Sequence, residues 1–135
     1  MKIALIGYGK MGKAIEEIAL ERGHTIVAKV SSDKLLSDTD LSNVDVAIEF
    51  TKPDLAAGHI QYCIDHQTPV VVGTTAWNNQ LDAVKQAVES QNGSVLHSSN
   101  FSIGVNIFFE INKRLAQLIS GQTGYKACLE EIHHL

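Results

Sequence analysis

The most constraining stretch of this chain lies near its start. Residues 2–6 are a short apolar run, and Gly7-Tyr8-Gly9-Lys10-Met11-Gly12 follows at once. Beyond it Met11, Ala14, Ile15, Ile18 and Ala19 recur at helical spacing, with Gly23 as a C-terminal stop. A GxGxxG sequence alone is a weak signal; between a strand pattern and a helix pattern it has a mechanism. Gly7 permits the tight turn, Gly9 lets a backbone approach a pyrophosphate, and Gly12 lets the helix pack close to the strand. The first turn of the helix then offers free N–H groups and a partial positive charge to the phosphates. The plain alternative is a glycine turn in an α/β domain that binds nothing.

The rest of the chain repeats that alternation. Strand patterns fall at residues 24–30, 44–50, 69–72 and 94–97. Residues 31–43 are mostly polar and read as a loop. Pro53 opens a second helix that turns Ala56, Ala57, Ile60 and Ile64 to one side. Residues 76–90 read as a third helix with Leu81, Val84, Ala87 and Val88 inward, and residues 103–120 as a long, strongly apolar fourth. After a turn at 121–124, residues 125–135 read as the beginning of a further strand. Short, fully apolar strands alternating with helices predict an α/β fold: a Rossmann-type, doubly wound parallel sheet covered on both faces. The expected organisation is a dinucleotide-binding domain at 1–102, an interdomain helix at 103–120, and the first strand of an incomplete second domain at 121–135.

Charge and composition narrow the function classes. Eleven basic against fifteen acidic residues give a formal charge of −4, which argues against a duplex nucleic-acid binder. No apolar run approaches the roughly 20 residues a membrane helix needs. Cys63 and Cys128 stand far apart without metal-ligand spacing, so a reduced cytoplasmic protein without a metal is expected.

In open α/β sheets the ligand sits beyond the carboxyl ends of the strands. Four polar segments of this sequence occupy such places. Ser31-Ser32-Asp33-Lys34 follows the second strand. Two hydroxyls and a lysine there, with Lys10 in reach, suit a ribose 2′-phosphate; Asp33 in the acidic role suits a 2′-hydroxyl, so NADPH and NADH both fit. Phe50-Thr51-Lys52-Pro53, Gly73-Thr74-Thr75 and Ser98-Ser99-Asn100-Phe101 follow the third, fourth and fifth strands. Each can cap a helix without any ligand, but their convergence on one edge favours a site. His133 and His134 end a strand-like run, where alternation sends them to opposite faces. One imidazole there can serve as a general acid near neutral pH, while zinc fits poorly. His24, His59, His66 and His97 are expected to be structural or exposed.

Taken in order, Ile48-Glu49-Phe50-Thr51-Lys52-Pro53, Val71-Val72-Gly73-Thr74-Thr75, Ser99-Asn100-Phe101-Ser102-Ile103-Gly104 and Glu131-Ile132-His133-His134 resemble the 4-hydroxy-tetrahydrodipicolinate reductase family. The resemblance covers the whole chain, and the last three segments carry its specificity. It implies hydride transfer from NADPH or NADH to a cyclic dicarboxylate, in lysine biosynthesis through diaminopimelate. Beside the candidate cofactor contacts at Gly7, Tyr8, Gly9, Lys10, Met11, Gly12, Ser31, Ser32, Phe50 and Thr51, it implies cofactor contact at Gly73, Thr74 and Thr75, with Ser99, Asn100 and Phe101 closing around the nicotinamide end. On the same ground His133 is the proton donor, His134 contacts substrate, and the complete protein is a homotetramer. The glycine turn is one residue shorter than the family commonly shows. The Lys-x-Asp-Ala-Pro-Ser-Gly-Thr-like segment that follows the histidines in the family is absent. A fragment that binds cofactor but turns over substrate poorly is therefore expected. The competing reading is a non-catalytic NAD(P)H sensor that uses the apolar 103–120 helix as its interaction surface; paired histidines would have no purpose there.

Overall fold

The computed structural model describes residues 1–130 and 132. They form two compact units, residues 1–99 and the segment from 100 onward. In the first unit β1 (Lys2–Ile6), β2 (Thr25–Val30), β3 (Val46–Glu49), β4 (Val70–Val72) and β5 (Val95–His97) make one sheet in the order β2-β1-β3-β4-β5. Every pairing is parallel. The helices between them are α1 (Lys10–Glu21), α2 (Pro53–Asp65) and α3 (Leu81–Gln91). The expected doubly wound α/β architecture is thus present, and the direction of winding reverses between β1 and β3.

Burial follows position in the sheet. In β1, an interior strand, residues 3–6 are all buried, whereas the edge strand β2 alternates. On one face Ala4, Ile6, Ala47, Val70 and Val72 pack with Ala56, Ile60 and Ile64 of α2 and Val84 of α3. The other face is thinner: Ile3, Leu5 and Ala19 are buried there, with Ile15, Ile26 and Val46 against them. That thinness shows in α1. Its periodic residues Met11, Ala14 and Ile18 are exposed, and only Ala19 is fully buried.

Local chemistry explains most element ends. Gly23 adopts φ +74, with Gly23 N–H donating to the Leu20 carbonyl and His24 N–H to that of Ala19. This is the paired C-terminal closure that favours glycine. Pro53 sits in the first turn of α2, where its missing N–H costs nothing. The third helix begins later than its sequence pattern. Ala76 is left-handed at φ +63, Trp77 is buried, and a 3-10 turn at Asn78–Gln80 precedes α3. The loop after β2 is likewise less polar than it reads, because Leu36 and Leu41 enter the core around a 3-10 turn at Leu36–Asp38.

The second unit contains α4 (Ile103–Ile119), capped by the Ser102 hydroxyl, which accepts from Val105 N–H at 3.4 Å. Ile103, Ile107, Phe108, Ile111, Leu115 and Leu118 are all exposed. Phe101, Ile103, Ile107 and Ile111 line an open groove of about 600 Å³ along it. Residues 125–130, expected to be extended, carry no regular strand because no second strand pairs with them among the described residues.

Candidate functional site

The backbone carries the strand ladder past the ends of the strands and so fixes the turns beyond them. Gly7 and Tyr8 N–H both donate to the Val30 carbonyl at 3.1 and 3.0 Å. Phe50 N–H donates to Ile6 at 2.8 Å, and Gly73 N–H to the Glu49 carbonyl at 2.9 Å. The turns after β1, β3 and β4 are therefore brought side by side at the carboxyl edge, where the winding reverses. This is where ligands bind in such sheets.

The three glycines of the first turn have different reasons. At Gly7 the backbone is left-handed (φ +98), and a Cβ would collide with the Phe50 carbonyl and lie 2.8 Å from Thr51 Cγ2. At Gly12 a Cβ would collide with the Gly7 carbonyl. Both are demanded by packing alone. A Cβ on Gly9 would meet nothing within 4 Å. Gly9 caps α1 without a side-chain hydrogen bond, and the first turn of that helix holds no acid. A bare helix N-terminus facing open space, with Lys10 and Lys13 nearby in sequence, fits the phosphates of a dinucleotide.

Next to this turn Met11, Phe50, Thr51, Pro53, Gly73, Thr74 and Thr75 line a pocket of about 260 Å³. The Phe50 ring occupies the space a Gly73 side chain would need. Thr74 is buried: its hydroxyl oxygen accepts from Thr51 N–H at 2.7 Å, and its carbonyl accepts from Trp77 Nε1 at 2.8 Å. Thr75 alone of the segment is exposed.

Beneath Thr51 lies a group the sequence reading passed over. Glu49, at the end of β3, is fully buried. Its Oε1 accepts a short hydrogen bond from the Thr51 hydroxyl, and His59 Nδ1 of α2 lies 3.4 Å from that oxygen. Among the described residues Oε2 has no hydrogen-bond partner. Cys63 shares this region; burial first, and the Glu49 carboxylate second, push its thiol up to about 12. The available signal was the acid Glu49 standing between Ile48 and Phe50 at the end of the apolar run.

The remaining candidates lie elsewhere. The Tyr8 ring is held on the α1 side: its hydroxyl donates a short hydrogen bond to Glu16, and Lys29 Nζ lies 4.6 Å above the ring and 2.6 Å from Glu16. The Lys29 and Tyr8 hydrogen bonds hold the Glu16 carboxyl below its usual range. Ser31 and Lys34 close a tight turn through N–H to carbonyl bonds of 3.3 and 3.2 Å, leaving Ser32 exposed. Lys10 is exposed. Ser99 ends the first unit, and Asn100 and Phe101 open the second, where Asn100 Oδ1 accepts from Ser102 N–H. His133 and His134 lie outside the described residues.

Among the described residues no group of three potential metal ligands occurs, and no helix is long and apolar enough to cross a membrane. Sheet order, glycine turn and uncapped helix together define a Rossmann-type α/β domain, of the class that binds dinucleotides. A solved probable dehydrogenase from Thermotoga maritima shares the fold, with a TM-score of 0.60 at 15% identity over 89% of this chain and 41% of its own. Residues 1–101 match the sequence profile of "Dihydrodipicolinate reductase, N-terminus", and the chain belongs to that family. A 4-hydroxy-tetrahydrodipicolinate reductase of Christiangramia forsetii is 43% identical over all of this chain and 56% of its own length. One from Neisseria meningitidis is 32% identical over 88% of this chain and 44% of its own. The chain thus spans about half the length of these curated relatives.

Proposed function

We propose that this chain is the pyridine-nucleotide half of a reductase that converts 4-hydroxy-tetrahydrodipicolinate to tetrahydrodipicolinate. The observation that carries the reading is Gly9. Packing explains Gly7 and Gly12, whereas the space left by Gly9 lies open at an uncapped helix N-terminus. The pyrophosphate of NADPH or NADH would lie there, on the N–H groups of residues 10–12. The pocket between Met11, Thr51 and Thr75 would take the nicotinamide end. Ser31, Ser32 and Lys10 would face the adenosine ribose. The nicotinamide supplies the hydride when bound; the chain positions it and excludes water from one side.

In this reading His133 gives a proton to the reduced substrate, and His134 holds a substrate carboxylate. Ser99, Asn100 and Phe101 close over the nicotinamide end. The complete protein would work in the cytoplasm as a homotetramer in diaminopimelate and lysine biosynthesis, with a cyclic dicarboxylate as its small-molecule substrate.

Titration of the 135-residue chain with NADPH and with NADH in a calorimeter tests the cofactor half of this reading. Saturable binding of either at one site per chain is the expected result, and the affinity ratio gives the preference. Binding of neither would overturn it. For the catalytic half, the His133→Gln variant of the reductase is expected to lose turnover while keeping nucleotide affinity. Unchanged turnover would remove His133 from its role.

A further inference from the structure

Three loop ends meet at residues 49–51. The Glu49 carbonyl accepts from Gly73 N–H, and Thr51 N–H donates to the Thr74 hydroxyl oxygen, which ties this segment to the β4 turn. The Phe50 carbonyl and Thr51 Cγ2 close against the Cα of Gly7, which ties it to the glycine turn. The backbone N–H of Thr51 serves the β4 turn, and its side chain serves the glycine turn, with the methyl toward Gly7 and the hydroxyl inward to Glu49. A free threonine hydroxyl has no such preference.

The inward direction is set by Glu49. Its Oε1 accepts the Thr51 proton, while His59 Nδ1 approaches the same hydroxyl at 3.3 Å. Keeping a carboxyl at a fully buried strand end is costly, and its second oxygen has no hydrogen-bond partner among the described residues. Val or Leu would suit a central parallel strand better. Fold stability is thus a poor reason for an acid here, and the orientation of Thr51 is a better one.

We propose that Glu49 is a positioning residue: by holding the Thr51 hydroxyl inward it fixes the Thr51 methyl against the glycine turn, and so sets the shape of the nucleotide pocket. Glu49 does not line that pocket and acts through Thr51. The proposal rests on the pyridine-nucleotide reading above.

The test is calorimetric titration of NADPH into the parent chain, E49L, E49Q, T51V and the E49L/T51V double variant, with melting temperatures measured alongside. Site number reports the folded fraction and Kd reports the pocket, so a merely structural role moves the first or the melting temperature and leaves Kd alone. E49L and T51V are expected to weaken binding about tenfold each, the size of one lost hydrogen bond. The double variant should be no weaker than either single one, because both break the same link. E49Q keeps a carbonyl that can accept from Thr51 and should bind within about threefold of the parent. If E49L does not fold, T51V against T51S carries the test: loss of the hydroxyl in T51V and of the methyl in T51S should both weaken binding. Parental Kd in E49L or T51V, or multiplying losses in the double variant, would overturn the proposal. A parent chain that binds neither NADPH nor NADH would instead remove the nucleotide reading, and this proposal with it.

Discussion

The turn after β1 and the turn after β4 stand side by side at one sheet edge, yet they are built by different means. The first is made of backbone. Gly7 and Gly12 are required because carbonyl groups occupy the space their side chains would need. The second is made of side chains. Phe50 fills the space beside Gly73, Thr74 bonds the neighbouring turn, and Trp77 anchors it from the core. Packing accounts for two of the three glycines in the first turn and for Gly73 and Thr74 in the second, and leaves Gly9 and Thr75 open to solvent. A residue in a recognisable motif is therefore not by that fact a ligand contact. The members that packing does not explain are the ones to credit to a ligand.

The largest expected effect falls on the backbone-built turn. Gly7→Ala places a methyl into the Phe50 carbonyl at a left-handed φ, and neither the strand end nor the turn can yield cheaply. A loss of at least about 4 kcal/mol is expected, a large share of a domain's stability. Denaturant melts would check this; a variant as stable as the parent would mean that the two turns are not locked together at Gly7.

The pH response should come from beneath the two turns. Cys63 lies in α2 near Glu49, and its thiol pKa rises from about 9 to about 12 because burial and the Glu49 carboxylate both oppose the thiolate. Below about pH 9 the thiol is protonated in both states, and its contribution to stability is complete. Between about pH 9 and 12 the unfolded chain releases the proton while the folded chain keeps it. Stability then falls as pH rises, by about 1.4 kcal/mol per pH unit. The difference between the parent and Cys63→Ala melts over this range isolates that slope, and parallel curves would discard it. A smaller effect is expected at Thr74. Thr74→Val leaves the Thr51 N–H without its acceptor at a half-buried site, which costs about 1–3 kcal/mol. Melting temperature measures it, and a change within error would mean that water replaces the hydroxyl.

These contrasts also show what could be read in advance. The glycine turn, the parallel sheet and the Gly23 stop were legible because each depends on local spacing. The start of α3 was not, since Ala76-Trp77-Asn78 fits a helix by composition. Only the core's room for an indole, with Thr74 as its acceptor, forces Ala76 left-handed. The exposure of Met11 and Ile18 was equally hidden, because periodicity names a face and says nothing of whether anything covers it. Within the site, Phe50, Thr51 and the Gly73-Thr74-Thr75 segment were found from their place after strands. Glu49 was missed because its partners are set by the fold, Thr51 in the turn two residues on and His59 ten residues on in α2. The inward turn of Tyr8 toward Glu16 and Lys29 has the same cause.

The smallest change in stability should come from the residue that matters most to the proposed ligand. Gly9 has φ −89 and ψ −152, an extended conformation open to alanine, and a methyl there meets nothing within 4 Å. Gly9→Ala should shift stability by less than about 1 kcal/mol, because the lower entropy of the unfolded chain with alanine offsets what little strain the methyl adds. The same methyl would stand between the N-terminus of α1 and a pyrophosphate, and NADPH binding should weaken about tenfold or more, as overpacking a close contact does. At Gly7 stability and binding should fall together; at Gly9 they should part. A Gly9→Ala chain that binds as the parent does would move the phosphates away from this helix end. A Gly9→Ala chain that melts far below the parent would make Gly9 a packing glycine like Gly7 and Gly12, and the first turn would then contain no residue set aside for a ligand.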